Sequence, residues 1–200
     1  DLFRAINELM TKNDLIVLSK LEHSVLTEDC FHQLVGDKEI VNALKLLTFN
    51  SSIWENALTK VRKDICIATS NDLIAADKSL FEFTTALAEQ CFLNEYIFHI
   101  SDEEIKAINK IKFDSETDKI NEFKVAVLAC YKALYYMENE IPYLLNQNSK
   151  NKAFRDLFDL QYTEPLQEKK IINSIIKFGN INSSISKRVR VQYEENPYPR

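Results

Sequence analysis

Three polar side chains on the predicted central helix are the ones whose types and spacing could do chemistry. Gln90, Asn94 and Glu95 lie on or beside an apolar stripe that repeats at helical spacing over about residues 73–98. Buried amide and carboxylate groups need hydrogen-bond partners. Asn94 and Glu95 could bond neighbouring backbone or a loop, or they could line a pocket, which with Gln90 could even be the active site of an enzyme. Both interpretations stay open at this stage.

The sequence indicates no other reaction centre or metal site. His23, Cys30 and His32 lie close together, but their spacing does not suit two metal ligands on one helix, and a fourth ligand is missing. No serine–histidine–acid or cysteine–histidine arrangement follows from the spacing. The two glycines, Gly36 and Gly179, are too few for the phosphate-binding turns of a nucleotide- or cofactor-binding α/β domain. We therefore predict no catalytic, cofactor-binding or metal-binding residue.

Charge, hydropathy and cysteine usage narrow the range of partners and compartments. The net charge of −5, with both signs interleaved, disfavours a nucleic-acid partner. Without a run of about 18 apolar residues, no membrane span is expected. The four cysteines, at 30, 66, 91 and 130, lack C-x-x-C spacing, and three fall in apolar patterns typical of reduced core thiols. Reduced thiols favour the cytoplasm, with secretion as an effector as the alternative.

The elements that must position these residues are predicted to be helices throughout. The expected helix caps are Asp37 after a helix ending at Gly36, Ser52 with Glu55, Ser101 with Glu104, and Thr163 before Pro165. The acidic run 102–104 then has a structural explanation, since carboxylates favour the first turn of a helix. Long helices are expected over about 73–98 and 118–136, and a last helix is expected to start at Ser183 or Ser184.

Together these elements predict an all-α fold, an irregular bundle of about eight to ten helices packed in the manner of helical repeats. No 34-residue period is visible, so the chain itself is not an array of tetratricopeptide repeats. Residues 1–192 are expected to form the bundle, with a subdivision near the polar loop 146–152 as the alternative. Residues 193–200 are expected to form an extended connector to an absent downstream domain, because two prolines at alternate positions oppose a helix.

That C-terminal strip is also the predicted docking element, since aromatic rings and charge-assisted hydrogen bonds could hold it on a neighbouring surface. Its residues are Tyr193, Glu194, Glu195, Asn196, Pro197, Tyr198, Pro199 and Arg200. Residues 189–200, V-R-V-Q-Y-E-E-N-P-Y-P-R, resemble the signature V-R-x-Q-Y-E-E-N-P-Y-P-R of a bacterial family of tetratricopeptide-repeat/methyltransferase proteins. In that family the signature stands just before a class I S-adenosylmethionine-dependent methyltransferase domain.

Further matches follow the family order between Trp54 and Arg200. Residues 87–98, L-A-E-Q-C-F-L-N-E-Y-I-F, followed by the acidic run 102–104, are similar to the family's L-A-x-Q-C-F-x-N-E-Y-V-F stretch. Weaker matches are Glu55 to Arg62, an E-x-x-L-T-x-x-R pattern, and Glu164-Pro165 with Glu168. The tryptophan that usually follows the signature, the upstream repeats and the methyltransferase domain are not in this chain. Any S-adenosylmethionine binding is therefore expected of a parent protein.

The resemblance implies a non-catalytic accessory domain that packs on a methyltransferase domain in the same polypeptide and helps to present a protein substrate. The alternative is a free-standing helical scaffold or effector-like module that binds a partner protein in a groove. An enzyme built on Asn94, Glu95 and Gln90 is a third hypothesis. The sequence leaves the methyl acceptor and the oligomeric state open.

Overall fold

Every regular element in the described part of the chain is helical, as predicted. A computed structural model describes residues 10–49, 51–111, 121–137, 149–172, 174 and 183–195. The α-helices are α1 (Lys12–Lys20), α2 (Asp29–Gly36), α3 (Lys38–Leu46), α4 (Ser52–Ser70), α5 (Lys78–Leu93), α6 (Asp102–Lys110), α7 (Glu122–Ala129), α8 (Lys152–Phe158), α9 (Glu164–Ile172) and α10 (Ser184–Glu195). Two 3-10 turns, Val25–Thr27 and Leu134–Tyr136, and a π-helical segment, Asp159–Thr163, complete the set.

The chain divides into two units, Asp1–Gln167 and Glu168–Arg200. Unit 1 contains the hydrophobic core. Unit 2 contains the end of α9 and the whole of α10. The predicted subdivision near 146–152 stays a prediction, because residues 138–148 lie outside the described ranges.

Two central helices organise unit 1. Helix α4 packs against α1, α6 and α7, and helix α5 packs against α2, α3, α7 and α8. Each central helix is buried on more than one face, which is why α5 carries buried residues at nearly every position from Phe83 to Cys91. The largest buried side chains include Trp54 on α4 and Phe83 on α5. Because a helix that is apolar on two faces belongs inside a bundle, the sequence pattern of α5 predicts this central place.

The helix starts in unit 1 confirm some predicted caps and correct others. Oδ1 of Asp37 accepts hydrogen bonds from two backbone N–H groups of α3, and Ser101 with Glu104 forms the predicted capping box of α6. The predicted capping box at Ser52 is wrong. Helix α4 begins one residue earlier than that box requires, with Ser51 at the cap and no side-chain hydrogen bond there. The third helical position is then Trp54, which is buried in the core.

Three predicted helix boundaries are also wrong. Helix α5 spans 78–93 and not 73–98, because Asp77 caps its start and a reversal of the chain ends it after Leu93. Helix α7 ends at Ala129, well before residue 136, and the predicted residues 118–120 lie outside the described residues. Thr163 does not cap a new helix.

Helix α8 instead continues through the π-helical segment into α9, and Glu164 N–H bonds the carbonyl of Asp159. Pro165 has no N–H to offer the residue four positions earlier. A wider turn just before a proline tolerates that missing donor, which accounts for the uninterrupted helix.

The predicted extended path of the C-terminal strip is wrong for its first three residues. Tyr193, Glu194 and Glu195 form the last turn of α10, because the two prolines come later and restrict only their own neighbourhood. Residues 196–200, which include both prolines, lie outside the described ranges. The predicted start of this last helix is confirmed, since α10 begins at Ser184.

Candidate functional site

Among the described residues of unit 1, the segment that ends α5 has two successive residues with positive φ. The N–H of Glu95 bonds the carbonyl of Phe92 at 3.1 Å, and the N–H of Tyr96 bonds the carbonyl of Cys91 at 2.8 Å. These two bonds are the pattern of a Schellman motif, in which the residue after the cap adopts a left-handed conformation and is usually glycine. Here Glu95 has a φ of 58° and Tyr96 a φ of 59°. Each left-handed L-residue costs about 1–2 kcal/mol, so the turn is strained.

Helix α4 ends in the same motif with less strain. Asp72, with a φ of 53°, occupies the position that glycine usually takes, and the N–H of Leu73 bonds the carbonyl of Ala68 at 2.9 Å. Aspartate tolerates the left-handed region better than glutamate or tyrosine does, because its short side chain can bond locally. The chain thus ends both central helices without glycine, and only the end of α5 has two successive left-handed residues.

The strained segment presents apolar side chains to solvent. We call Leu93 to Ile97 the α5 turn. Leu93 is 38% exposed and Ile97 is 70% exposed, and the exposed carboxylate of Glu95 lies between them in sequence. Strain at a surface site is maintained only when the surrounding structure fixes it, and such sites are often functional. The α5 turn is therefore the candidate functional site.

The two amide side chains that the sequence singled out lie at this end of α5, Gln90 on the helix and Asn94 in the turn. Gln90 is fully buried, and its Oε1 accepts a hydrogen bond from the N–H of Phe49 at 3.2 Å. Its Nε2 atom, and both polar atoms of the Asn94 side chain, are buried without a hydrogen-bond partner among the described residues. The interpretation that Asn94 bonds neighbouring backbone or a loop finds no such bond among the described residues. Glu95 is exposed instead of buried between two faces, because α5 ends before it.

A third buried amide holds the opposite side of α5. Nε2 of Gln161, in the π-helical segment, donates to the carbonyl oxygens of Ala88 at 2.8 Å and Ala129 at 3.2 Å. The hydroxyl of Tyr96 also donates to the carbonyl of Ala129, at 3.4 Å. Burial raises the pKa of Tyr96, so its hydroxyl stays protonated and can donate. Gln161 was not singled out from the sequence, because only the π-helical geometry directs it towards α5 and α7.

A buried ion pair that sequence reasoning missed connects α4 with α6, and Tyr131, just after the end of α7, packs against it. Nη2 of Arg62 donates to Oε1 of Glu104 at 3.0 Å and to the carbonyl oxygen of His99 at 2.6 Å. The hydroxyl of Tyr131 donates to the same Oε1 at 2.8 Å, and its ring lies 4.4 Å from the guanidinium carbon. Oε2 of Glu104 accepts from Ser101 in the capping box. Their pairing gives Arg62 and Glu104 a structural role.

The buried cysteines lie near this ion pair, and burial disfavours the thiolate form of Cys66 and Cys130. Cys66, Cys91 and Cys130 are buried, as predicted, and Cys30 is half-buried. Burial raises the pKa of Cys66 to about 11. Burial is also the main reason that the pKa of Cys130 is raised well above its ordinary value. A thiol needs to ionise to act as a nucleophile, so Cys66 and Cys130 behave as small apolar groups.

One open groove lies at the surface between α4 and α6. It has a volume of about 440 Å³ and is lined by Ile67, Ser70, Asn71, Glu103, Lys106, Ala107 and Lys110. Lys110 already donates to Oδ1 of Asn71 at 2.7 Å, and Lys63 pairs with Glu103. Lys110 and Glu103 therefore already have partners beside the groove. The groove lies apart from the candidate residues on α5.

The predicted docking strip begins on a helix with exposed apolar residues. On α10, Ile185 is 72% exposed, Val189 43%, Val191 49% and Tyr193 52%. The side chains of Glu194 and Glu195, and all of Asn196, Pro197, Tyr198, Pro199 and Arg200, lie outside the described residues. The strip therefore stays a predicted docking element, with its first three residues on a helix.

No protein-family model, curated protein or solved structure matches this chain. Within the described residues, no group of three or more histidine, cysteine or acidic side chains could hold a metal ion. In the same part of the chain, no helix combines the length and apolarity needed to cross a bilayer.

Proposed function

We propose that this chain is a non-catalytic helical accessory domain of an S-adenosylmethionine-dependent methyltransferase-like protein. It would pack on the catalytic domain and help to present a protein substrate. The observation that carries the interaction role is the α5 turn, where strained backbone keeps Leu93 and Ile97 at the surface beside the carboxylate of Glu95. A fixed backbone lowers the conformational entropy that these side chains would lose on binding a protein.

The methyltransferase context rests on the two motif stretches described above. The α5 turn lies within one of them, residues 87–98, and α10 contains the first half of the other, residues 189–200. In this proposal α10 leads into the catalytic domain, and S-adenosylmethionine binds there and not in the present 200 residues. Localisation in the reducing cytoplasm agrees with buried thiols, and secretion as an effector is the alternative.

Cofactor binding tests the methyltransferase part of the proposal. Isothermal titration calorimetry would compare the full-length gene product with residues 1–200, using S-adenosylmethionine as the ligand. We expect saturable binding to the full-length protein and none to residues 1–200. S-adenosylhomocysteine should compete, because both bind the same pocket in methyltransferases of this class. A full-length protein with no affinity for either nucleoside would refute this part.

A free-standing interaction scaffold is the second candidate function. The exposed apolar surface of the α5 turn favours it as much as it favours an accessory domain, since neither role needs a catalytic residue. The two candidates differ in what the gene encodes after Arg200. A glycine-rich turn between a strand and a helix there would favour the accessory domain, and a stop codon would favour the scaffold.

A further inference from the structure

Helix α10 carries a narrow apolar stripe between two arginines. At about 100° per residue, Ile185, Val189 and Tyr193 fall within roughly 80° of one another, with Arg188 on one side of the stripe and Arg190 on the other. All three stripe residues are at least 43% exposed. Apolar residues at i, i+4 and i+8 are the anchors with which a helix binds an apolar groove on a protein.

The two units of this chain have opposite net charge. Residues 168–200 contain seven lysines and arginines against three acidic residues, which gives a net charge of +4. Because the whole chain carries −5, residues 1–167 carry −9. Helix α10 itself contains Lys187, Arg188 and Arg190 against Glu194 and Glu195, a net charge of +1. The acidic unit 1 of another copy is therefore the electrostatic complement of the basic side chains that flank the apolar stripe.

The α5 turn combines the features that complement α10. It exposes Leu93 and Ile97, which could receive the apolar stripe, and Glu95, which could pair with an arginine beside that stripe. Its backbone is fixed by the Schellman hydrogen bonds, so little conformational freedom would be lost on binding.

We propose that the occupant of the α5 turn is α10 of a second copy of this chain. The exchange is reciprocal in a two-fold dimer, so the same contact forms twice. This inference rests on the part of the proposed function that makes the α5 turn a protein-binding surface, and it is independent of the methyltransferase part. An anionic membrane is a less favoured partner for α10. Helices that bind membrane surfaces keep their apolar residues on one face and their basic residues on the other. Helix α10 does not, because Val191 lies on the face opposite the stripe and the acidic residues Glu194 and Glu195 follow it.

Sedimentation equilibrium of the whole chain at low ionic strength tests the proposal, over concentrations from the low micromolar range to several hundred micromolar. We expect a reversible monomer–dimer equilibrium that weakens as sodium chloride is added, because the contact includes opposite charges. Val189→Asp should weaken the dimer at least about tenfold, since it places a carboxylate in the apolar stripe. Val191→Asp is the matched control, because it makes the same change on the opposite face of the same helix.

Charge reversal tests the other side of the contact. Glu95→Lys should weaken the dimer, and Glu22→Lys, at an exposed carboxylate remote in sequence from the α5 turn, should not. Combining Glu95→Lys with Arg188→Glu should restore part of the affinity, a result that general unfolding cannot produce. A chain that stays monomeric at every concentration overturns the proposal, as does equal weakening by Val189→Asp and Val191→Asp. Val189-dependent binding to phosphatidylserine vesicles without self-association also overturns it. None of these outcomes changes the result of the S-adenosylmethionine titration, so the dimer and the methyltransferase proposal can fail separately.

Discussion

Two polar regions of unit 1 use their hydrogen-bonding groups in different ways. Around Arg62, the carboxylate of Glu104 accepts hydrogen bonds on both of its oxygens, and Tyr131 covers the guanidinium with its ring. Under the α5 turn, Gln90 has one bonded atom and Asn94 has none among the described residues. The first region has ordinary helical backbone at Arg62 and Glu104, whereas the second is followed by two left-handed residues.

The difference separates a structural cluster from a candidate binding surface. In the ion-pair cluster both oxygens of Glu104 are bonded, and Nη1 of Arg62 is the guanidinium nitrogen that is buried without a hydrogen-bond partner among the described residues. The cluster holds helices in one arrangement, but it has few remaining groups to offer a ligand. A region with strained backbone, incompletely bonded amides and exposed apolar side chains is less stable than it could be. Such a departure from local consistency is expected at functional sites. Three substitutions, each with a comparison variant, test this difference between the two regions.

The largest expected effect is in the ion-pair cluster. Glu104→Ala should lower the free energy of unfolding by about 3–5 kcal/mol, because it leaves the guanidinium of Arg62 buried without its partner. The neighbouring substitution Glu103→Ala is the control. Glu103 pairs with Lys63 at the surface and is 67% exposed, so its loss should barely change stability. Urea unfolding followed by circular dichroism measures both variants, and equal effects at 103 and 104 would contradict the assignment.

Backbone strain at the α5 turn predicts a stabilising substitution. Glu95→Gly should raise the free energy of unfolding by about 1 kcal/mol, because glycine adopts a positive φ without steric cost. Asp72→Gly, at the equivalent position after α4, should gain less. Aspartate already tolerates this conformation, and Asp72 also pairs with Lys124 at 3.0 Å. If Glu95→Gly destabilises the chain in the same urea assay, then the turn is not strained in the way that its φ angles indicate.

The smallest expected effect is at Asn94. Asn94→Ala should change the free energy of unfolding by less than about 0.5 kcal/mol, because no hydrogen bond of its side chain is lost within the described structure. Gln90→Ala is the comparison, and it should cost more, since it removes the acceptor for the N–H of Phe49 and empties a fully buried position. A large loss of stability for Asn94→Ala would mark a structural role for its amide and would weaken the case for a functional site here.

The fold class was predictable from the sequence because helical spacing and caps are local signals. Asp37 and the Ser101–Glu104 capping box lie within a few residues of the groups that they bond. The early end of α5 was not predictable in the same way. Its apolar stripe continues through Phe98, but Glu95 takes the left-handed position that usually reveals itself by a glycine.

The sequence could not predict which residues far apart in the chain pair with one another around the candidate site. Gln90, Asn94 and Glu95 were singled out because they interrupt an apolar stripe, and the structure places the first two inside and the third at the surface. Arg62 pairs with a residue 42 positions away, and Gln161 reaches α5 from 73 positions away. Nothing local to those two residues distinguishes them from other polar residues on helical surfaces, so only the packed helices reveal what they do.

The two oxygens of Glu104 have a consequence for how the molecule opens. One oxygen caps α6 and the other binds Arg62 of α4, so the first turn of α6 cannot fray without loosening the hold of one helix on the other. Amide hydrogens at that turn should consequently exchange with deuterium at the slow rate of the bundle interior, whereas helix termini ordinarily exchange fast. Helix α6 and the middle of α4 would then open together as one cooperative unit.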